Sequence, residues 1–268
     1  MSYFQTDDNV KLYYETFGRG KKTILFIHGW MDWGESFKIA AGNLAKHYKV
    51  IVYDHRGHGR SETPKDGYGM VRLAMDLRNL IEYLEPENLT LVGYSMGSHV
   101  LYEYVKLFGD QDLDKLVISV MSPTLVNEKR PELSLGGEMT AKKALEQLSL
   151  YNQHYTAVCE AAYPIYLQCH PANEKLRSYY SRAAKLDSSA MIRLGIAMYA
   201  ADYWDVLPTI TRPTLILSAE NDMYSRTIHE EQARLIPDAQ VVIVPGCGHM
   251  MLLENPETYM EMLGKFIG

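Results

Sequence analysis

The 268 residues carry 47% hydrophobic and 22% charged side chains with a formal net charge of -6. This is the profile of a globular chain able to bury a large core, and its mild acidity excludes the basic footprint of a nucleic-acid or membrane-surface binder. No apolar stretch reaches the length of a membrane span, residues 1–10 lack an apolar signal segment, and the odd set Cys159, Cys169 and Cys247 has no metal-type spacing, so a reduced, cytoplasmic protein is expected.

The chain opens with a predicted hairpin, residues 1–4 and Lys11–Phe17, joined by the polar turn Thr6-Asp7-Asp8-Asn9. Thr23–Ile27 is a continuous apolar run, as expected of a strand buried on both faces, and ends at His28-Gly29-Trp30. Helical spacing follows over residues 36–46. Lys49–Tyr53 is a second buried strand, leading into Asp54-His55-Arg56-Gly57-His58-Gly59-Arg60-Ser61. Residues 71–83 form an amphipathic helix with Leu73, Leu77, Leu80 and Leu84 on one face. The strand Leu89–Tyr94 then breaks into Gly93-Tyr94-Ser95-Met96-Gly97, with a helix predicted from Met96 to Phe108 and another strand over residues 115–120. From residue 123 to 206 the strand–helix rhythm stops, and the pattern is mostly helical and rich in Tyr, Ala and Leu. It resumes with strand Thr214–Ala219, helix Arg226–Leu235, a strand over 240–244 and helix Pro256–Ile267. Alternating apolar strands and helices predict a mostly parallel eight-stranded sheet with helices on both faces. The expected core domain is residues 1–122 and 207–268, with 123–206 inserted as a helical cap.

A serine on a strand-to-helix elbow is a candidate nucleophile, because the glycines permit a tight turn and the helix aims its first amides at the reaction centre. A hydroxyl is a poor nucleophile at neutral pH and needs a base, which in turn needs an orienting anion. On this architecture catalytic groups gather at the carboxyl ends of strands. Asp222 lies three residues after the run Thr214–Ala219, and His249 lies five residues after Val244 in Pro245-Gly246-Cys247-Gly248-His249. Ser95, Asp222 and His249 are therefore the expected triad. Glu220 is the fallback acid, whereas Glu254 is expected to serve the start of the last helix.

Together these motifs resemble the α/β-hydrolase superfamily over nearly the full chain, in particular its serine esterase, perhydrolase and non-haem haloperoxidase branch. The resemblance implies an oxyanion hole built from the backbone amides of Trp30 and Met96. It also implies structural rather than catalytic roles for His28, His55 and His58, with no cofactor and no metal. The expected activity is hydrolysis of a small to medium carboxylic ester through an acyl-enzyme. Carbon–carbon hydrolysis, lactone opening and perhydrolysis are the alternatives with the same triad, and a non-catalytic small-molecule receptor is the alternative of another class. Trp30, Met31 and Trp33, together with Trp204 of the cap, are expected to contact substrate. Tyr151, Tyr155, Tyr163, Tyr166, Tyr179, Tyr180, Tyr199 and Tyr203 also fall in the cap, and most are expected to pack it onto the body. A monomer or homodimer acting on a small molecule is expected, without a nucleic-acid or membrane partner.

Overall fold

The computed structural model describes residues 2–166 and 181–268, with backbone alone for 162–166. The eight strands are β1 (Ser2–Gln5), β2 (Lys11–Phe17), β3 (Thr23–Ile27), β4 (Lys49–Tyr53), β5 (Leu89–Tyr94), β6 (Leu113–Ser119), β7 (Thr214–Ala219) and β8 (Ala239–Val244). They form one sheet in the order β1-β2-β4-β3-β5-β6-β7-β8. The hairpin β1–β2 and the β2–β4 pair are antiparallel, and every later pair is parallel. Each residue of β3, β5 and β7 is buried. Parallel strands covered on both faces require this, because crossover helices leave neither face to solvent.

Residues of β3 alternate between two cores. Leu25 and Ile27 join Leu73, Leu77 and Leu80 of α2 (Met70–Leu84) and Val100 and Tyr104 of α3 (Met96–Phe108). Ile24 and Phe26 face Ala41 and Leu44 of α1 (Lys38–Leu44) and the C-terminal helix Pro256–Ile267. That last helix places Tyr259, Leu263 and Ile267 on one stripe at four-residue spacing, all fully buried. Burying such side chains contributes about 1.5–3 kcal/mol each. Its cap is Asn255, whose side chain accepts the Thr258 amide.

Between β6 and β7 the described chain is helical: α4 (Ala141–Tyr166), kinked at His154, and α5 (Ser188–Tyr199). The segment leaves and returns at one point. Thr124 bridges Asp202, and the Tyr203 amide donates to Pro123 O. After β7 come α6 (Arg226–Leu235), the short α7 (Met251–Glu254) and α8 (Pro256–Ile267). The helical spacing over 36–46 resolves into a 3-10 turn, Gly34–Phe37, followed by α1. Among the described residues, no helix is long and apolar enough to cross a membrane.

Candidate active site

Ser95 sits between β5 and α3 with φ 52° and ψ -126°, a conformation that costs a residue with a side chain about 1–3 kcal/mol. Its neighbours enforce the bend. A Cβ on Gly97 would lie 2.0 Å from Ile27 O, so only glycine lets the first turn of α3 close on β3. The Ser95 amide donates to Ser119 O at 2.9 Å. The hydroxyl is thereby held clear of the sheet at the carboxyl ends of the strands, where the loops after β3, β7 and β8 converge.

His249 Nε2 is 3.1 Å from Ser95 Oγ, and its Nδ1 is 3.0 Å from Asp222 Oδ1. An ionised carboxylate only accepts. Nδ1–H therefore donates to Asp222, and Nε2 is left bare to accept the Ser95 proton. Asp222 Oδ1 also accepts the Met223 amide at 2.7 Å. The side chain of His249 is 5% exposed and that of Asp222 fully buried, so the relay is shielded from bulk water. The loops are knit together: Glu220 N donates to Val244 O, Asn221 N to Cys247 O, and Tyr94 Oη to His249 O. Glu220 turns away, its carboxylate accepting the Gly246 amide at 2.9 Å, which removes it as the fallback acid. Glu254 differs from expectation. Its Oε2 accepts the Gly248 amide at 2.7 Å and so fixes the residue before His249, while Asn255 serves the last helix.

Across the cleft, Gly29 passes close over the serine; a Cβ there would lie 3.1 Å from Ser95 Cβ and 3.6 Å from Oγ. Among the described residues, neither the Trp30 nor the Met96 amide donates to a protein acceptor. Met96 is the first residue of α3, where helix amides lack intrahelical partners. The loop bearing Trp30 is tied down from below. His28 Nδ1–H donates to Gly29 O at 2.8 Å, and its Nε2 accepts the His55 amide at 2.9 Å. His55 donates back to His28 O, and His58 to Arg56 O. Burial pushes the His55 pKa down to about 3 and that of His58 to about 4, with the His58 imidazole adding to the His55 shift. All three histidines are neutral hydrogen-bonding groups. Arg56, buried beside them, clamps Asp76 and Asp8 with paired bonds of 2.6–2.9 Å and anchors their loop.

Ser95 and His249 open into a cleft of about 830 Å³, including its mouth. Trp30 and Met31 line it, together with Tyr151, Cys159, Met198 and Tyr199. Trp30 is held by its Nε1 bond to Met191 O of α5 at 3.0 Å. Trp33 and Trp204 do not line it. Trp33 is only 3% exposed and lies beneath the Arg182 guanidinium, 4.4 Å away, on the far side of the turn. Trp204 packs against the core at the root of the insertion, beside Asp202. Tyr155 donates to Ala183 O and Tyr203 to Glu103, both packing roles. The side chains of Tyr163 and Tyr166, and all of Cys169, Tyr179 and Tyr180, lie outside the described residues. One lining group not singled out from the sequence is Asp32, a buried carboxyl two residues after Trp30. The four-residue step from Asp32 to Ser36, bounding a helical turn, was its available signal.

A family model described as the alpha/beta hydrolase fold matches residues 22–256. The bifunctional esterase/perhydrolase DCH of Acinetobacter calcoaceticus is 28% identical, covering 100% of this chain and 99% of its own. Among solved structures, an esterase from Exiguobacterium antarcticum superposes with a TM-score of 0.91 at 25% identity, over 99% of this chain and 98% of its own. A bromoperoxidase from Bacillus anthracis gives 0.89 at 26%, over 99% of both.

Proposed function

The chain belongs to the α/β-hydrolase fold family, and we propose that it is a serine hydrolase cleaving a small to medium, uncharged carboxylic ester. The observation that carries the reading is the unbroken relay from Ser95 Oγ to His249 to Asp222, at 3.1 and 3.0 Å. In the proposed reaction His249 Nε2 takes the Ser95 proton as Oγ bonds to the ester carbonyl carbon. Negative charge then develops on the former carbonyl oxygen and is met by the Trp30 and Met96 amides. One such donor is worth about 3–4 kcal/mol to the transition state. His249 returns its proton to the leaving alcohol and then takes one from water, whose oxygen attacks the acyl-enzyme and frees the acid.

The cleft supports an uncharged substrate. Among its described lining residues there is no Lys or Arg to pair with an anionic acyl group, and the walls are mostly methionine, leucine and tyrosine. The helical segment 123–206 acts in this reading as the cap that sets substrate size. Perhydrolysis is a second reading, favoured by the esterase/perhydrolase relative: hydrogen peroxide would replace water at the acyl-enzyme and leave as a peracid. The test is steady-state kinetics on neutral aryl and alkyl esters of graded acyl length, beside the same esters bearing a carboxylate and a peroxide arm. Turnover of neutral esters with strong rejection of the carboxylates is expected. Preference for a carboxylate-bearing substrate would overturn the reading.

A further inference from the structure

Asp32 lies two residues after Trp30, 4% exposed, with no basic group in contact among the described residues. Its amide donates to Gly29 O at 3.3 Å, and its Oδ1 accepts the Trp33 amide at 2.6 Å. Its Oδ2 lies 3.0 Å from Ser36 Oγ, which is also 2.9 Å from Trp33 O. Trp33 O is an acceptor only, and Ser36 has a single hydroxyl proton for two neighbouring oxygens. Each contact has a hydrogen of its own when the carboxyl is protonated, whereas beside an ionised carboxylate the one Ser36 proton must be shared between them. In the protonated form Oδ2–H donates to Ser36 Oγ, and Ser36 donates to Trp33 O.

We infer that Asp32 is a positioning residue which holds the oxyanion loop in its protonated form, and that release of this proton to solvent ends turnover on the alkaline side. The inference rests on the proposed hydrolase reading. Ionisation has two consequences. The Ser36 Oγ proton is drawn to the carboxylate and its bond to Trp33 O weakens, leaving the Ser36 amide, 3.1 Å from the same oxygen, to hold the turn that follows Trp30 and Met31. A buried negative charge also appears in the wall of the cleft where the oxyanion forms. Burial raises the Asp32 pKa to about 7, with a smaller push from Asp54; the Trp33 and Gly29 amides and Ser36 pull the other way. The groups facing it are Asp54 after β4, the Tyr94 phenol at the end of β5, and the Glu35–Arg182 pair across Trp33, while His249 shares its cleft.

Asp32→Asn is the matched test, because an amide accepts from Trp33 N and donates to Ser36 Oγ at every pH. Infrared spectra at pH 6 should show a protonated-carboxyl carbonyl band that is missing in Asp32→Asn and fades in the wild type as pH rises past about 8. In parallel, kcat/KM on a neutral ester should fall by about tenfold per pH unit on the alkaline side in the wild type. That fall should be absent in Asp32→Asn. Asp32→Ala, which can neither accept nor donate, should not recover the alkaline activity. A band shared by the wild type and Asp32→Asn, or an alkaline fall common to both, overturns the inference. The infrared measurement needs no substrate, so a protein that cleaves no ester would fail the functional reading while the band still decides whether Asp32 carries its proton.

Discussion

Replacing Asp222 by asparagine separates the charge of the acid from its geometry. Oδ1 takes two donors, the Met223 amide at 2.7 Å and His249 Nδ1–H at 3.0 Å, whereas the buried Oδ2 has no hydrogen-bond partner among the described residues. An asparagine oxygen in the Oδ1 position keeps both bonds and puts its NH2 where Oδ2 was. The opposite orientation would aim NH2 at the Met223 donor. The variant therefore keeps the imidazole tautomer and loses the negative charge. Two unit charges about 4 Å apart attract by about 4 kcal/mol at an effective dielectric of about 20. Losing that attraction to the transient imidazolium lowers kcat roughly 10³-fold. The stranded amide should also cost about 1–3 kcal/mol of stability. Initial rates on a neutral aryl ester, with circular dichroism and thermal melts to verify folding, measure both effects. A folded Asp222→Asn variant within tenfold of wild-type kcat would refute the argument, as would an equal loss in Glu220→Gln.

Further perturbations test other joints of the structure. Ser95→Gly should relieve the positive-φ strain at the elbow and raise stability by about 1 kcal/mol while abolishing turnover; an unchanged or lower melting temperature would contradict the strain. Gly97→Ala drives a methyl onto Ile27 O and should cost at least about 1–3 kcal/mol, seen as a fall of several degrees in Tm; a neutral result would mean that α3 is not locked to β3. Stability should fall in acid. His55, His58 and His99 are buried and held neutral, with pKa values pushed down to about 3, 4 and 4. The unfolded chain then binds more protons below its histidine pKa of about 6.5, so this stability is intact above about pH 6.5 and drains towards pH 4. Each histidine contributes a slope of up to about 1.4 kcal/mol per pH unit. Burial likewise lowers the pKa values of His28 and His229, and it raises those of Asp32, to about 7, Asp54 and Asp76, which oppose them, three carboxyls against five histidines. Thermal melts at pH 7.5 and 5.0 should show the lower Tm at pH 5.0, and an equal or higher value would contradict the neutral-histidine account.

The parallel body was legible because each buried strand is dominated by apolar residues, with few polar ones such as Thr90 and Ser218. Thr214–Ala219, Arg226–Leu235 and Pro256–Ile267 have the expected bounds, since Pro, polar clusters and period changes mark their ends. The relay was legible because chain order and strand ends alone bring Ser95, Asp222 and His249 to one edge. Contacts set by loops were not. Trp33 follows Trp30 by only three residues yet lies across a turn, because Met31 adopts φ 59° and the 3-10 turn begins directly after Trp33. No periodicity encodes that reversal. Glu254 looked like a helix-start residue because it directly precedes Asn255, the cap of the last helix; its bond to Gly248 needs three dimensions. Asp32 escaped notice because its proton count depends on where Ser36 and Trp33 O point.

The central claim is that Ser95 is a nucleophile activated by His249. Fluorophosphonate labelling followed by mass-spectrometric peptide mapping tests it most directly. A single adduct on Ser95 is predicted for the wild type, with none in Ser95→Ala and labelling slowed by orders of magnitude in His249→Ala. A folded wild-type protein that stays unlabelled, or that carries the adduct on another residue, would contradict it.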